Sequence, residues 1–235
     1  ARRREENLLD VPIAVSAFSG EALELRGALD LTDIGNITPN TTLETSRGSN
    51  STLSAFIRGI GQQDPVSGFE PGVGIYLDDV YLARPQGAVA DIYDVERIEV
   101  LRGPQGTLFG RNTEGGAVSI VTKKPSGKFK LSTTAGAGNF GSYKSELHLD
   151  MPSIANLSFK LDGVISARNG TVTNPLTTAS DFNGFERRGI HAGLLWEPTA
   201  KFSAYYGYDN SYDATTTLYQ QLISPGSLKY AAAST

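Results

Sequence analysis

The sequence predicts an α+β unit followed by a run of two-faced antiparallel strands, and three observations carry that prediction. Residues 11–125 mix short apolar runs with capped helical turns. After Ser126 the apolar residues recur at every second position as far as about residue 209. Glycine is abundant, at 26 of 235 residues, which favours turns and strands over long helices.

In the first part, Val11 to Phe18 alternates enough for a strand. Ser19 is placed to cap a helix over Glu21 to Leu25, with Gly27 to end it. Thr32 to Ile34 forms another helical turn, closed before Pro39. Phe56-Ile57, Val73 to Leu77 and Ile98 to Leu101 are apolar runs that read as strands. Gly87 to Tyr93, between the last two, reads as helical. Gly116 to Thr122 is a final strand, and Lys123-Lys124-Pro125 closes the unit. At roughly 115 residues this is one domain, and the chain divides at 1–125 and 126–235.

The second part keeps one grammar. In Tyr143 to Met151 the odd positions are mostly apolar, while Lys144, Glu146, His148 and Asp150 share the other face. Leu157, Phe159, Leu161, Gly163, Ile165 and Ala167 alternate with Ser158, Lys160, Asp162, Val164, Ser166 and Arg168. The sorting repeats in Ile190 to Glu197 and Phe202 to Asp209, and more weakly in Phe129 to Ala137. Each of these five stretches is about as long as a tilted strand that crosses a bilayer. Pro152 to Asn156 and Pro198 to Lys201 read as short turns at one end. Asn169 to Arg187 reads as a long polar loop at the other, beside the shorter Asn139 to Ser142. Periodicity alone fits a transmembrane wall and a soluble sandwich with one wet face equally well. Alternating loop lengths, and Trp196 and Phe202 flanking one short turn, favour the wall.

Composition removes several classes. The net charge of -4 gives no basis for a nucleic-acid partner, and without cysteine there is neither disulfide nor thiolate metal site. No apolar run is long enough for a transmembrane helix, a test to which barrel strands are blind. The chain opens on Ala1-Arg2-Arg3-Arg4-Glu5-Glu6 with no leader pattern, and is expected to have a processed or trimmed start.

Val95 to Pro125 reads VERIEVLRGPQGTLFGRNTEGGAVSIVTKKP. It resembles, almost letter for letter, the closing signature of the plug of TonB-dependent outer-membrane receptors. Phe56-Ile57-Arg58-Gly59 resembles the family's Arg-Gly element. Pro71 to Val80 resembles its Pro-Gly-Val…Tyr-Leu-Asp-Gly-Val element, with Asp79 where Gly is commoner, and VPIAVSAFSGEAL its first strand and helix. The resemblance covers nearly all of the first half and implies the fold class: an α+β plug domain followed by antiparallel strands of an incomplete transmembrane β-barrel. The glycines at 103, 106, 110, 115 and 116 suit a backbone packed close to a barrel wall.

The resemblance further implies an importer of the Gram-negative outer membrane rather than an enzyme. A scarce large nutrient, a ferric siderophore above all, would bind outside and be drawn in by TonB; an oligosaccharide or cobalamin-type ligand is the alternative. A non-transporting, plug-like binding protein is a third reading. Arg58 and Arg102 stand where the family's plug arginines meet barrel glutamates. The outward plug loops would be Gly61 to Phe69 and Ala83 to Gly87, making Gln62, Gln63, Asp64, Phe69, Arg84 and Gln86 the ligand candidates. The TonB-docking element lies upstream of this stretch in the family, outer-membrane lipid would cover the apolar strand faces, and five strands are not expected to transport by themselves.

No catalytic set, resident cofactor or metal site is expected. Gly103 to Thr113 lacks the phosphate-loop spacing, and Gly59-Ile60-Gly61 and Gly72-Val73-Gly74 lack the third dinucleotide-site glycine. Asp78-Asp79 reads as a turn, not a calcium loop. His148 and His191 fall on the polar strand face, could meet across strands, and read as solvated.

Overall fold

Local signals set the first elements in the computed structural model, which describes residues 13–28, 30–46, 51–63, 69–83, 94–176 and 179–219. Strand β1 (Ala14–Ser19) runs into helix α1 (Gly20–Arg26), where Ser19 Oγ accepts from the Ala22 amide at 3.3 Å. Gly27 ends that helix in the left-handed region at φ 67°. Helix α2 (Leu31–Ile37) starts at a capping box, in which Asp30 accepts from the Thr32 amide at 2.8 Å and Asp33 accepts from the Asp30 amide at 3.4 Å. It stops at Thr38, before Pro39.

There follow β2 (Thr41–Thr45), β3 (Leu53–Ile57), β4 (Ile60–Gly61), β5 (Val73–Leu77), β6 (Val80–Tyr81), β7 (Val95–Arg102), α3 (Gly106–Phe109) and β8 (Gly116–Thr122). One sheet has the order β1-β7-β8-β5-β6, antiparallel except for β5 beside β8, and a smaller one has the order β2-β3-β4. Leu23, Leu31, Ile34, Ile57, Val73, Ile98, Val100 and Val118 form the core and are at most 1% exposed. Each such side chain contributes about 1.5–3 kcal/mol of transfer free energy. Gly116 is a tight fit: at φ 150°, a Cβ there would lie 2.1 Å from Leu101 O.

The anticipated strands at Val73–Leu77 and Gly116–Thr122 are present, and that at Val11–Phe18 appears as β1. The short β2, β4, β6 and α3 carry too few residues to show a period, and sequence reading missed them. The Gly87–Tyr93 helix lies outside the described residues. Asp78 and Asp79, at φ 46° and 67°, form the β5–β6 hairpin turn, and Asp78 accepts from the Thr122 amide (2.8 Å) and hydroxyl (2.6 Å). The acidic pair is a turn that ties β5 to β8.

Five antiparallel strands complete the chain: β9 (Lys130–Ala137), β10 (Tyr143–Asp150), β11 (Leu157–Arg168), β12 (Phe185–Thr199) and β13 (Phe202–Thr215). They pair strictly in sequence order, the up-and-down pattern of a barrel wall, and the sheet is open. Two boundaries differ from expectation. The long loop ends at 184, because β12 begins at Phe185. Pro198 belongs to β12 rather than to the following turn. The register shifts between Trp196 and Thr199, and such an irregularity tolerates a residue with no N–H to donate.

The wall is inside out. Ser158, Lys160, Asp162, Val164 and Ser166 are all at most 8% exposed, whereas Leu157, Phe159 and Ile165 on the opposite face are 39–44% exposed. Leu147, Ile190, Tyr206 and Tyr208 extend that apolar surface over neighbouring strands, with Trp196 and Phe202 packed edge-to-face at its short-turn end. A soluble sandwich would bury the other face. Here polar atoms pack on the first domain and hydrocarbon faces out, as in a membrane-spanning wall.

Candidate functional site at the junction of plug and wall

The buried polar face of the wall is organised in rows. Strand register places Ser132, His148, Asp162, His191 and Asp209 opposite one another across all five strands. The next row towards the short turns runs Lys130, Asp150, Lys160. Side chains of both rows meet the end of the β7–β8 hairpin. Lys160, 3% exposed, ion-pairs with Asp94 just before β7 and with Asp162 at 3.2 Å, and donates to Lys123 O just after β8 at 3.0 Å. Lys123 Nζ reaches the other oxygen of Asp94 at 2.8 Å, and its amide donates to Asp94 O at 3.0 Å. His148 Nδ1 lies 3.0 Å from Asp162. Three residues beyond Lys123, the Ser126 amide donates to Asp150 at 3.0 Å.

Beside this cluster is a polar cavity of about 240 Å³, bounded by Glu24 and Lys124 of the plug and by Lys130 and Ser132 of the wall. A second contact lies alongside. His191, 1% exposed, sits between Asp209 (2.7 Å) and the Tyr205 hydroxyl (3.1 Å), and Tyr205 in turn reaches Thr122. Lys124 lies over the Tyr205 ring at 5.7 Å, and Gly193 leaves the space that Pro125 fills, its Cγ 3.4 Å from where a Cβ would stand.

Burial alone would raise the Asp94 pKa, but hydrogen bonds and charge from Lys123 and Lys160 outweigh it and hold the carboxyl below its usual range. The Lys123 ammonium shows the reverse: burial opposes the charge, Asp94 more than compensates, and its pKa is raised. Asp94, His148 and Asp162 offer ligand atoms within 4.8 Å of one another. The Lys160 ammonium contacts both carboxylates, so the cluster is already supplied with a cation.

The histidines are therefore not solvated, as the sequence suggested. They do not meet; Asp162 stands between them in register. Sequence reading placed Lys160 and Asp162 on the right face but gave neither a role. Alternation reports which face a residue takes, and not what lies across from it.

The anticipated plug arginines come together around one turn. Arg102 Nη1 donates to Pro39 O at 3.4 Å, the Arg58 amide donates to Asn40 O at 2.8 Å, and Arg58 Nη1 lies 3.4 Å from where a Gly103 Cβ would stand. Arg102 Nε is buried without a hydrogen-bond acceptor. Neither side chain meets a carboxylate among the described residues.

Of the ligand candidates, Asp64, Arg84 and Gln86 lie outside the described residues. Gln62, Gln63 and Phe69 flank a loop whose two bases touch, a Gly72 Cβ position lying 3.3 Å from Gly61 Cα. Gln63 O accepts from Ser54 Oγ at 3.3 Å, and Phe69 is 59% exposed. Next to Phe69, Glu70 pairs with Arg111 at 3.1 Å, which brings the glycine-rich segment to the same rim. Sequence reading left Arg111 out of the candidates.

Residues 7–117 match the family described as TonB-dependent Receptor Plug Domain. The chain is 31% identical over 138 residues to the pesticin receptor of Yersinia pestis, a match covering 57% of this chain and 19% of that protein. It is 31% identical over 143 residues to the iron-regulated outer membrane virulence protein of Vibrio cholerae, covering 53% and 20%. Among solved structures, the ferric yersiniabactin uptake receptor FyuA from Yersinia pestis superposes with a TM-score of 0.78 at 22% identity, over 87% of this chain and 32% of that one. The chain thus spans about a fifth of the length of these curated relatives.

Proposed function

We propose, from the premise that residues 7–117 are the plug domain of a TonB-dependent receptor and that the strands after it belong to its barrel wall, that the protein imports a ferric siderophore across the Gram-negative outer membrane. The observation that carries the reading is the inverted sheet: a folded domain fills its polar side and bare hydrocarbon covers its other side. Such a wall needs lipid outside and a stopper inside. The curated relatives supply the cargo class, since one is named for iron regulation and a superposable structure for ferric yersiniabactin uptake.

In this reading residues 1–125 form the stopper and 126–235 begin the wall. Gln62, Gln63 and Phe69, with Asp64, Arg84 and Gln86, contribute to the outward ligand surface. Arg58 and Arg102 pack the plug against wall strands beyond those described, and the orphaned Arg102 Nε supports a carboxylate partner there. TonB supplies the energy through an element upstream.

The test is uptake of radiolabelled iron–siderophore by iron-starved cells carrying or lacking the full-length gene. Loss of uptake on deletion, restored by the gene only when TonB is present, is the expected result. Unchanged iron uptake with loss of oligosaccharide or cobalamin uptake would move the cargo to the alternative class. A product that stays soluble and never enters the membrane fraction would replace transport with the plug-like binding protein.

A further inference from the structure

We infer that Lys160 is the clasp by which the wall holds the plug, closing on both ends of the β7–β8 hairpin at once. The inference rests on the plug-and-wall reading and adds to it a fixed point of attachment. Asp94 enters the hairpin and Lys123 leaves it, and the two are joined to each other through both side chain and backbone. Lys160 then takes one contact from each: the Asp94 carboxylate and the Lys123 carbonyl. Neither end of the hairpin can move off the wall without breaking a contact to the same ammonium.

The surroundings fit a clasp rather than incidental packing. Lys160 is 3% exposed and its partner Asp162 is 1% exposed, so water does not replace a lost partner. His148 in turn holds Asp162, which fixes the carboxylate that orients the lysine. Three residues beyond Lys123, the Ser126 amide is secured by Asp150, so the exit segment is held at a second point.

The full-length receptor in planar lipid bilayers tests the clasp. Plug release is read as the urea concentration at which conductance opens, and barrel integrity as the heat-induced shift in gel mobility. Asp94→Asn and Lys160→Met are each expected to lower the release midpoint by on the order of 1 M urea, with the barrel shift unchanged. The double variant is expected to release no earlier than the weaker single one, because both changes open the same link. Fully additive effects, or an unchanged midpoint in either single variant, would overturn the clasp while leaving a sealed barrel and the transport reading intact. If Lys160→Met does not assemble, Asp94→Asn on an unaltered wall decides: an unchanged midpoint refutes the clasp. A receptor that never inserts or seals would instead refute the transport reading.

Discussion

The two halves of the molecule place their polar and apolar atoms in opposite ways. The plug has Ile98, Val100 and Val118 at its centre, each 0% exposed, while Glu99, at 8% exposed, is the one buried charge among its described residues. The wall buries Lys160, Asp162 and His191 and leaves Ile165 and Ile190 44% and 50% exposed. Both follow one rule, that each surface matches the medium it meets. In the transport reading, the plug's outer medium is the charged inner face of the wall, and the wall's outer medium is hydrocarbon. Burial is thus no guide to hydrophobicity until the neighbour on each side is known.

The sharpest way to break this comparison is to place a charge in the apolar region of each half. Ile98→Asp, at a site 0% exposed, is expected to cost more than about 4 kcal/mol and to leave no folded plug, seen as a barrel that conducts without urea. Ile165→Arg, on the exposed apolar face, is expected to cost about 2–4 kcal/mol when the receptor folds into lipid vesicles, read from urea titration. No cost at Ile165 would mean that this face meets water, and the comparison between the halves would collapse.

The smallest expected effect concerns pH at the seam. Because the Asp94 pKa is held down in the folded state, its contribution is complete above the ordinary carboxylate value of about 3.9 and is lost as pH falls through the lower folded value. Lys123 has the opposite sign: its raised pKa gives a contribution complete below about 10.4 and lost as pH rises through the folded value. The contributions of these two groups to the release midpoint should therefore be level across neutral pH, and that of Asp94 should be lost in acid below about pH 4. Asp94→Asn should flatten the acid limb, and an acid limb of equal depth in that variant would remove Asp94 from the seam.

Much of the fold was legible because its signals are local. Ser19 and Gly27 bracket α1 by capping chemistry, and strict alternation in Leu157 to Arg168 announced β11 to the residue. What local signals could not give is equally specific. Pro198 looked like a turn residue until the register shift after Trp196 accommodated it in β12. His148 and His191 looked solvated because alternation cannot say whether a polar face meets water or a folded domain.

From its own order of residues, then, the chain determines which atoms share a face, where helices begin and end, and which family's signature closes the plug. Those are matters of backbone geometry and neighbours a few positions away. Only the folded arrangement decides that the charged side of the wall is its interior, and that Lys160 lies between Asp94 and Lys123. These partners stand 66 and 37 positions apart in the numbering, and no period in the sequence carries a relation over such distances.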